Sequence, residues 1–380
     1  MRIIFNAYNT TGAGPSYVTR FILKSLAEKR DSFKKYFIIP KIYLFKDVQS
    51  SRNLKIFKIP ALWGYLRYVF RGLYDIFLFP IVTLILNPSA VIILANYSPM
   101  KVRGKKIVFM RHPFLVDPCP KIYDNPKTCI IEQFRKIIFI LTLISTDVLV
   151  VQSSYMKAAL LRNYGRWAAH MVIYILPNPI SNLIDLNESD IDKSVKYQSD
   201  KIVLYVSRYY PHKNHHFLMR LADTYQNEFR EKKIKFYITV DPSQGGRGAR
   251  RLLNEISERK LDDIICNIGE MPNEKLSHYY RRARCFFFPS MSETFGNPLI
   301  EAMAYGLPII VPDLGYAKAV CGEAGIYYNA ENFDEAFDKL VTLVADNSLC
   351  EQFSRISQLR VKKFPTTDQW VDEIFSLMAS

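Results

Sequence analysis

The sequence predicts an α/β chain built from two parallel-sheet units. Three observations carry this. Short, continuous apolar runs alternate with helix-like stretches, the pattern of parallel strands covered on both faces. The rhythm stops at a polar stretch, "SNLIDLNESDIDKSVKYQSD" (181–200), and then restarts. The charge changes at the same place. Residues 1–180 hold 26 lysines and arginines against 8 acids, 26 − 8 = +18; residues 181–380 hold 25 against 28, 25 − 28 = −3. We read 1–180 as the first domain, 181–200 as a linker, 201–365 as the second domain, and 366–380 as a C-terminal helix packing toward the first.

The first unit opens with the strand "RIIFNAY" and a turn, "NTTGAGPSYV". Gly12 and Gly14 allow close backbone approach there, and Pro15 or Ser16 opens the amphipathic helix "SYVTRFILKSLAEK". Either this is a tight strand-to-helix turn or it closes over a ligand. "AVIILAN", "KIVFMR", "DVLVVQSS" and "VIYILPN" read as further strands, with Asn178 as a turn residue. Met110, Arg111 and His112 end the third of these five runs. Ahead of the second run, "ALWGYLRYVFRGLYDIFLF" places Arg67, Arg71 and Asp75 on one helical stripe, leaving aromatic and apolar faces elsewhere. Two readings follow: a helix on the sheet with one wet stripe, or an interfacial helix meeting a membrane.

The second unit reads "KIVLYVSR", "IKFYITV", "IICNIG", "CFFFPS" and "LPIIVP" as strands. Arg208 and Lys213 follow the first of these, where two cations either face solvent or clamp a diphosphate. After "CFFFPS" comes "SETFGNPLIEAMAYGLPII" (292–310). Asn297 fits a helix cap, Pro298 the first helical position, and Gly306 the stop. The helix start is a ready phosphate site. Glu293 is otherwise a loop acid and Glu301 a helix-start acid; together they flank the phosphate and suit hydroxyl groups.

Composition narrows the partners. A basic half calls for an anion: nucleic acid, a membrane face or a phosphorylated substrate, unless coding bias alone enriches lysine. Nucleic acid is disfavoured, since no reader motif is present. Six cysteines without a CxxC pair suggest reduced thiols in a cytoplasmic protein, and no zinc spacing occurs. The N-terminus lacks a signal-peptide run, and "IFLFPIVTLIL" (76–86) and "IIFILTLI" (137–144) fall short of the ~18 apolar residues of a span. A chain that is soluble or peripherally bound is expected.

"SETFGNPLIEAMAYGLPII" resembles the Glu-x7-Glu signature of family-4 retaining glycosyltransferases (glycosyl transferases group 1). "VSRYYPHKNHHFL" resembles that family's Gly-Arg-x4-Lys segment, with Ser207 where glycine is usual. The resemblance is strong over 201–375 and weak before 110. It implies a GT-B fold, two Rossmann-like domains facing across a cleft that holds a nucleotide-sugar. It implies that Glu301 holds the ribose and Glu293 the donor sugar, that the backbone of Phe295, Gly296 and Asn297 approaches sugar and phosphate, and that Arg208 and Lys213 bind the diphosphate. Met271, beside Glu270, would border the base. Gly14 would close over the phosphates and His112 would hydrogen-bond the sugar, with Arg111 near an acceptor phosphate. Leucine usually follows the glycine, so Asn297 leaves the choice of donor sugar open.

The expected reaction is sugar transfer from a UDP- or GDP-linked donor to a saccharide or polyprenyl-linked acceptor, with retention. No cofactor is expected. No carboxylate pair is placed for double displacement, so a front-face route is expected, in which the leaving diphosphate helps take the acceptor proton. The lone Asp-x-Asp, Asp190-Ile191-Asp192, falls in the presumed linker, so no catalytic metal is expected. Family habit and the basic domain suggest bacterial surface polysaccharide assembly (O-antigen, capsule or lipopolysaccharide core) on the cytoplasmic face of the inner membrane. The rivals are a GT-B nucleotide-sugar 2-epimerase and a non-catalytic, membrane-associated sugar-binding protein.

Overall fold

In the computed structural model the apolar runs become two all-parallel sheets. The structure describes residues 1–10, 13–29, 33–42, 45, 49–60, 70–117, 126–180 and 201–379. The expected linker 181–200, Gly12, Arg67 and Cys119 lie outside them. The remaining five cysteines are free thiols.

The first unit comprises β1 (Arg2–Asn6), α1 (Ala13–Glu28), β2 (Lys34–Lys41), β3 (Leu54–Pro60), α2 (Phe79–Leu86), β4 (Ala90–Ile93), β5 (Lys105–Phe109), α3 (Pro126–Ile144), β6 (Val148–Val151), α4 (Ser154–Ala168) and β7 (Val172–Ile175). Its strand order is β3-β2-β1-β4-β5-β6-β7. Alternate strand residues feed two cores. Ile3, Phe5, Ile107 and Phe109 pack with α1 on one face. Ile4, Val108, Met110 and Leu149 pack with α2, α3 and α4 on the other.

The second unit comprises β8 (Lys201–Tyr205), α5 (His215–Thr224), α6 (Gln226–Glu231), β9 (Ile234–Ile238), α7 (Gly248–Glu258), β10 (Ile265–Asn267), α8 (Asn273–Arg282), β11 (Cys285–Phe287), α9 (Asn297–Ala304), β12 (Ile309–Pro312), α10 (Gly315–Cys321), β13 (Gly325–Tyr328), α11 (Phe333–Ala345) and α12 (Asn347–Val361). Its order, β10-β9-β8-β11-β12-β13, is that of a doubly wound sheet. Strand order reverses between β8 and β11, and ligands of such sheets bind at that point, beyond the carboxyl ends.

The last helix, α13 (Thr367–Ala379), belongs to the first unit. Its Trp370, Val371, Ile374 and Leu377 join the α1-side core. Ser25 of α1 donates to Asp368 at 2.6 Å, and the Trp370 ring centre lies 5.2 Å from that of Phe109.

Helix 70–86 corrects one sequence expectation. Arg71 and Asp75 do share a helical stripe, but it faces inward. Asp75 is buried, 3.6 Å from Arg71, and the Arg71 guanidinium lies over the Tyr97 ring. Burial pushes the Asp75 carboxyl up to about 6, with Arg71 opposing. The Arg71–Asp75 part of the stripe is therefore a half-buried ion pair, and the outward face is apolar: Phe77 is 58% exposed and Ile85 is 73% exposed. A π-helical turn, Tyr74–Leu78, precedes α2. Helix α3 shows the same outward face, with Ile130 70% and Phe134 63% exposed. No helix among the described residues is long and apolar enough to cross a membrane.

Three strands escaped the periodicity reading: β2, β3 and the short edge strand β13. β2 carries Pro40 near its end, and β3 is an edge strand whose lysines at 55 and 58 interrupt the apolar run.

Candidate functional site

The loops after β8 and β11 meet at the point where strand order reverses. After β8, the chain turns through Ser207 and Arg208 into a short 3-10 turn, Pro211–Lys213, capped by Asn214 at φ 59°. After β11 it runs through Ser290 to Glu293. The two loops are stitched together: Met291 N–H donates to His212 O at 2.8 Å, and the Ser290 hydroxyl oxygen lies 3.3 Å from the same oxygen. The Tyr205 hydroxyl donates to Lys213 O at 2.5 Å, and Tyr316 donates to Ser290 O.

Lys213 and Glu293 face each other across this seam. The Lys213 ammonium donates to Glu293 Oε1, which also accepts from the Ser290 hydroxyl at 2.7 Å. Glu293 is 8% exposed, and the Lys213 ammonium lies 5.3 Å from the centre of the Phe288 ring. A buried carboxylate is tolerable here because it has both a counter-ion and a neutral donor.

Arg208 is held separately. Its Nε and Nη2 donate to Glu270 Oε1 at 3.1 and 2.5 Å, and Gln244 donates to the other oxygen at 2.6 Å. Burial would lower the Arg208 value, but the Glu270 carboxylate raises it. Met271 follows Glu270 and is half-buried, just before Pro272 caps α8. Both cations expected to bind a diphosphate are thus already matched to carboxylates.

Gly296 takes φ +83° and caps α9; a Cβ there would stand 3.0 Å from Leu299 Cδ1. This corrects the expected cap. Asn297 is the first helical residue, Pro298 the second, and no side chain caps the helix. Only glycine takes this left-handed conformation freely, so it displaces asparagine from the cap. Gly306, at φ +62°, ends the helix as expected, with Gly306 N–H donating to Met303 O at 2.9 Å. The Phe295 side chain is core, its ring centre 5.5 Å from that of Phe364.

Glu301, one turn into α9, accepts from the Tyr280 hydroxyl at 3.0 Å. Burial pushes its carboxyl up to about 7, with the Tyr280 bond pulling the other way. Such a carboxyl changes charge near neutrality. Tyr280, Ser290 and Gln244 were not singled out in the sequence; "LSHYYRRA" and "PSMSE" carry no spacing that marks them.

His112 and Gly14 belong to the first unit. Gly14 lies in the first turn of α1. His112 follows β5, its Nε2 3.3 Å from Glu132 Oε2 on α3. Arg135 donates to the other Glu132 oxygen, and its Nη1 lies 3.5 Å from the imidazole. Burial would raise the Glu132 carboxyl, but His112 and Arg135 together hold it below the ordinary value.

Residues 187–360 match the model of the glycosyl transferases group 1 family. The chain is 26% identical to O-antigen chain mannosyltransferase B of Escherichia coli over 162 residues, 42% of this chain and 41% of that protein. It is 26% identical to a D-inositol 3-phosphate glycosyltransferase of Corynebacterium urealyticum over 152 residues, 39% of this chain and 36% of that one. The chain thus spans about two fifths of the length of these curated relatives. Among solved structures, sucrose-phosphate synthase from Thermosynechococcus elongatus superposes with a TM-score of 0.76 at 18% identity, covering 100% of this chain and 98% of that one. Anabaena HepE, in complex with UDP and glucose, superposes at 0.74 with 14% identity, covering 100% of both chains. The glycosyl transferases group 1 match thus covers the second sheet, and the chain as a whole has the GT-B fold of two Rossmann-like sheets.

Proposed function

We propose that the chain is a retaining, metal-independent glycosyltransferase, moving a sugar from a nucleotide-sugar to a hydroxyl of a lipid-linked saccharide. The observation that carries this is the Lys213–Glu293 pair at the β8/β11 reversal, beside the start of α9. A donor diphosphate would compete with Glu293 for Lys213 and with Glu270 for Arg208, and would meet the α9 N-terminus. Freed from Lys213, Glu293 accepts hydroxyls of the sugar, while Glu301 accepts those of the ribose. As the glycosidic bond breaks, Lys213 and Arg208 stabilise the charge growing on the leaving diphosphate. The leaving oxygen takes the acceptor proton on the same face, which retains configuration. The complex of HepE with UDP and glucose supports a nucleoside diphosphate donor; the base and sugar are open between UDP- and GDP-linked forms.

The O-antigen relative supports an acceptor of bacterial surface polysaccharide, whether O-antigen, capsule or lipopolysaccharide. The outward apolar faces of helix 70–86 and α3, in a half carrying +18, support peripheral attachment to the anionic cytoplasmic face of the inner membrane.

The test is incubation of radiolabelled UDP- and GDP-sugars with lipid-linked acceptor in EDTA. Labelled lipid with retained anomeric configuration is expected. Interconverted donor would instead make the chain an epimerase, and binding without either product a sugar-binding module. Strict Mn²⁺ dependence would overturn the metal-free route.

A further inference from the structure

The loop after β5 is pinned from α4, and it presents His112 to a buried carboxylate on α3. His112 takes extended backbone, φ −115° and ψ 108°, ahead of the 3-10 turn Pro113–Leu115. From α4, the Tyr164 hydroxyl donates to Leu115 O at 2.8 Å and the Asn163 amide donates to Val116 O at 2.6 Å. The Phe114 ring meets the imidazole edge-on, with ring centres 5.2 Å apart. The imidazole therefore has a fixed seat. Which of its two nitrogens carries the proton is decided by what each one faces.

Nε2 faces α3. Glu132 Oε2 lies 3.3 Å from it and Arg135 Nη1 lies 3.5 Å from it. An ionised carboxylate only accepts and a guanidinium only donates, so the two favour opposite tautomers. Burial decides for Glu132. Its side chain is 2% exposed, and Oε2 has no closed hydrogen bond among the described residues. A buried carboxylate oxygen left unmatched is costly, and Nε2–H is the donor within reach. Arg135 is already bonded to the other Glu132 oxygen and is partly exposed, so its remaining N–H groups meet water. Burial would raise the Glu132 carboxyl, but His112 and Arg135 hold it below its ordinary value, so it is ionised near neutral pH. A neutral His112 therefore keeps its proton on Nε2 and a lone pair on Nδ1.

We propose that Glu132, fixed by Arg135, is a positioning residue: it holds the His112 proton on Nε2, so that Nδ1 accepts a hydrogen bond from a sugar hydroxyl. The imidazole then works as an acceptor, and Glu132 sets that direction without touching the sugar. The identity of the hydroxyl rests on the transferase reading; the position of the proton does not.

Ring nitrogen resonances report the proton directly. The full chain, with ¹⁵N in its six histidine rings, is observed at about pH 8.5, where histidine is ordinarily neutral. His112→Asn assigns the signals required. The unaltered chain should show His112 protonated at Nε2 and bare at Nδ1. Glu132→Leu leaves Arg135 facing Nε2 and should move the proton to Nδ1. Glu132→Gln keeps an acceptor there and should keep the proton on Nε2. A proton on Nδ1 in the unaltered chain, or an unmoved proton in Glu132→Leu, would overturn the assignment. Sugar transfer to the lipid-linked acceptor then identifies the hydroxyl. Glu132→Leu should raise one substrate's KM about three- to tenfold, the loss of one neutral hydrogen bond, while nucleoside diphosphate affinity by calorimetry stays unchanged. Glu132→Gln should keep both KM values near those of the unaltered chain. A raised acceptor KM puts the hydroxyl on the acceptor and a raised donor KM puts it on the donor sugar; neither rising would overturn the proposal. A chain that shows the Nε2 tautomer but transfers no sugar refutes the transferase reading and leaves the position of the proton standing.

Discussion

Replacing Glu301 with glutamine tests the link between its burial and its role. The carboxyl rises from 4.5 to about 7 on folding. The folded state therefore holds the proton more tightly than the unfolded chain. Stability from this group is full below about pH 4.5, falls between 4.5 and 7, and is gone above 7. At about 1.4 kcal/mol per pH unit the span is worth about 3 kcal/mol. For a unit of this size that is about 6–12 °C in Tm. Glutamine keeps the shape and accepts the Tyr280 hydrogen bond at every pH. Thermal unfolding of the wild type and Glu301→Gln, compared from pH 4.5 to 8, isolates the residue because all other groups cancel. The wild type should lose about 3 kcal/mol relative to the variant across that range. A constant difference would refute the reasoning. Donor binding has the opposite sign. Ribose hydroxyls need the ionised carboxylate, so nucleoside diphosphate affinity should weaken by up to about tenfold per pH unit below 7. Calorimetric titration measures it, and a pH-independent Kd in this range would detach Glu301 from the ribose.

Lys213→Met leaves the Glu293 carboxylate without its counter-ion and should cost about 3–5 kcal/mol, read by urea unfolding, whereas Lys213→Met with Glu293→Gln should recover most of it. Neither variant should transfer sugar. Gly296→Ala forces φ +83° on a residue with a Cβ and brings that atom to 3.0 Å from Leu299, so a loss of about 1–3 kcal/mol is expected. Ile85→Glu with Phe134→Glu changes two exposed residues, so unfolding stability should hold within about 0.5 kcal/mol while co-sedimentation with anionic vesicles falls. Unchanged sedimentation would move membrane attachment off this face.

What the sequence disclosed and what it hid follow from the range of the interactions. The apolar runs disclosed β1 and β4 to β12 as parallel strands, because a strand buried on both faces has to be apolar along its length. The Gly296-to-Gly306 punctuation disclosed α9 almost to the residue, because left-handed backbone and helix ends are local events. Asn297 was misplaced by one step for the same reason: two good caps stood side by side, and only the backbone angle chose between them. The Lys213–Glu293 pair was hidden, since 80 positions separate its members and only the β8/β11 pairing joins them. Helix 70–86 shows the limit most clearly. Four-residue spacing put Arg71 and Asp75 on one stripe, but spacing carries no sign, and the usual inference that charge faces water gave the wrong side. The ion pair and the Tyr97 ring offset its burial and leave Leu73, Phe77, Leu84 and Ile85 outward. Turning that pair inward and the apolar stripe outward supports the proposed membrane attachment more strongly than the net charge does.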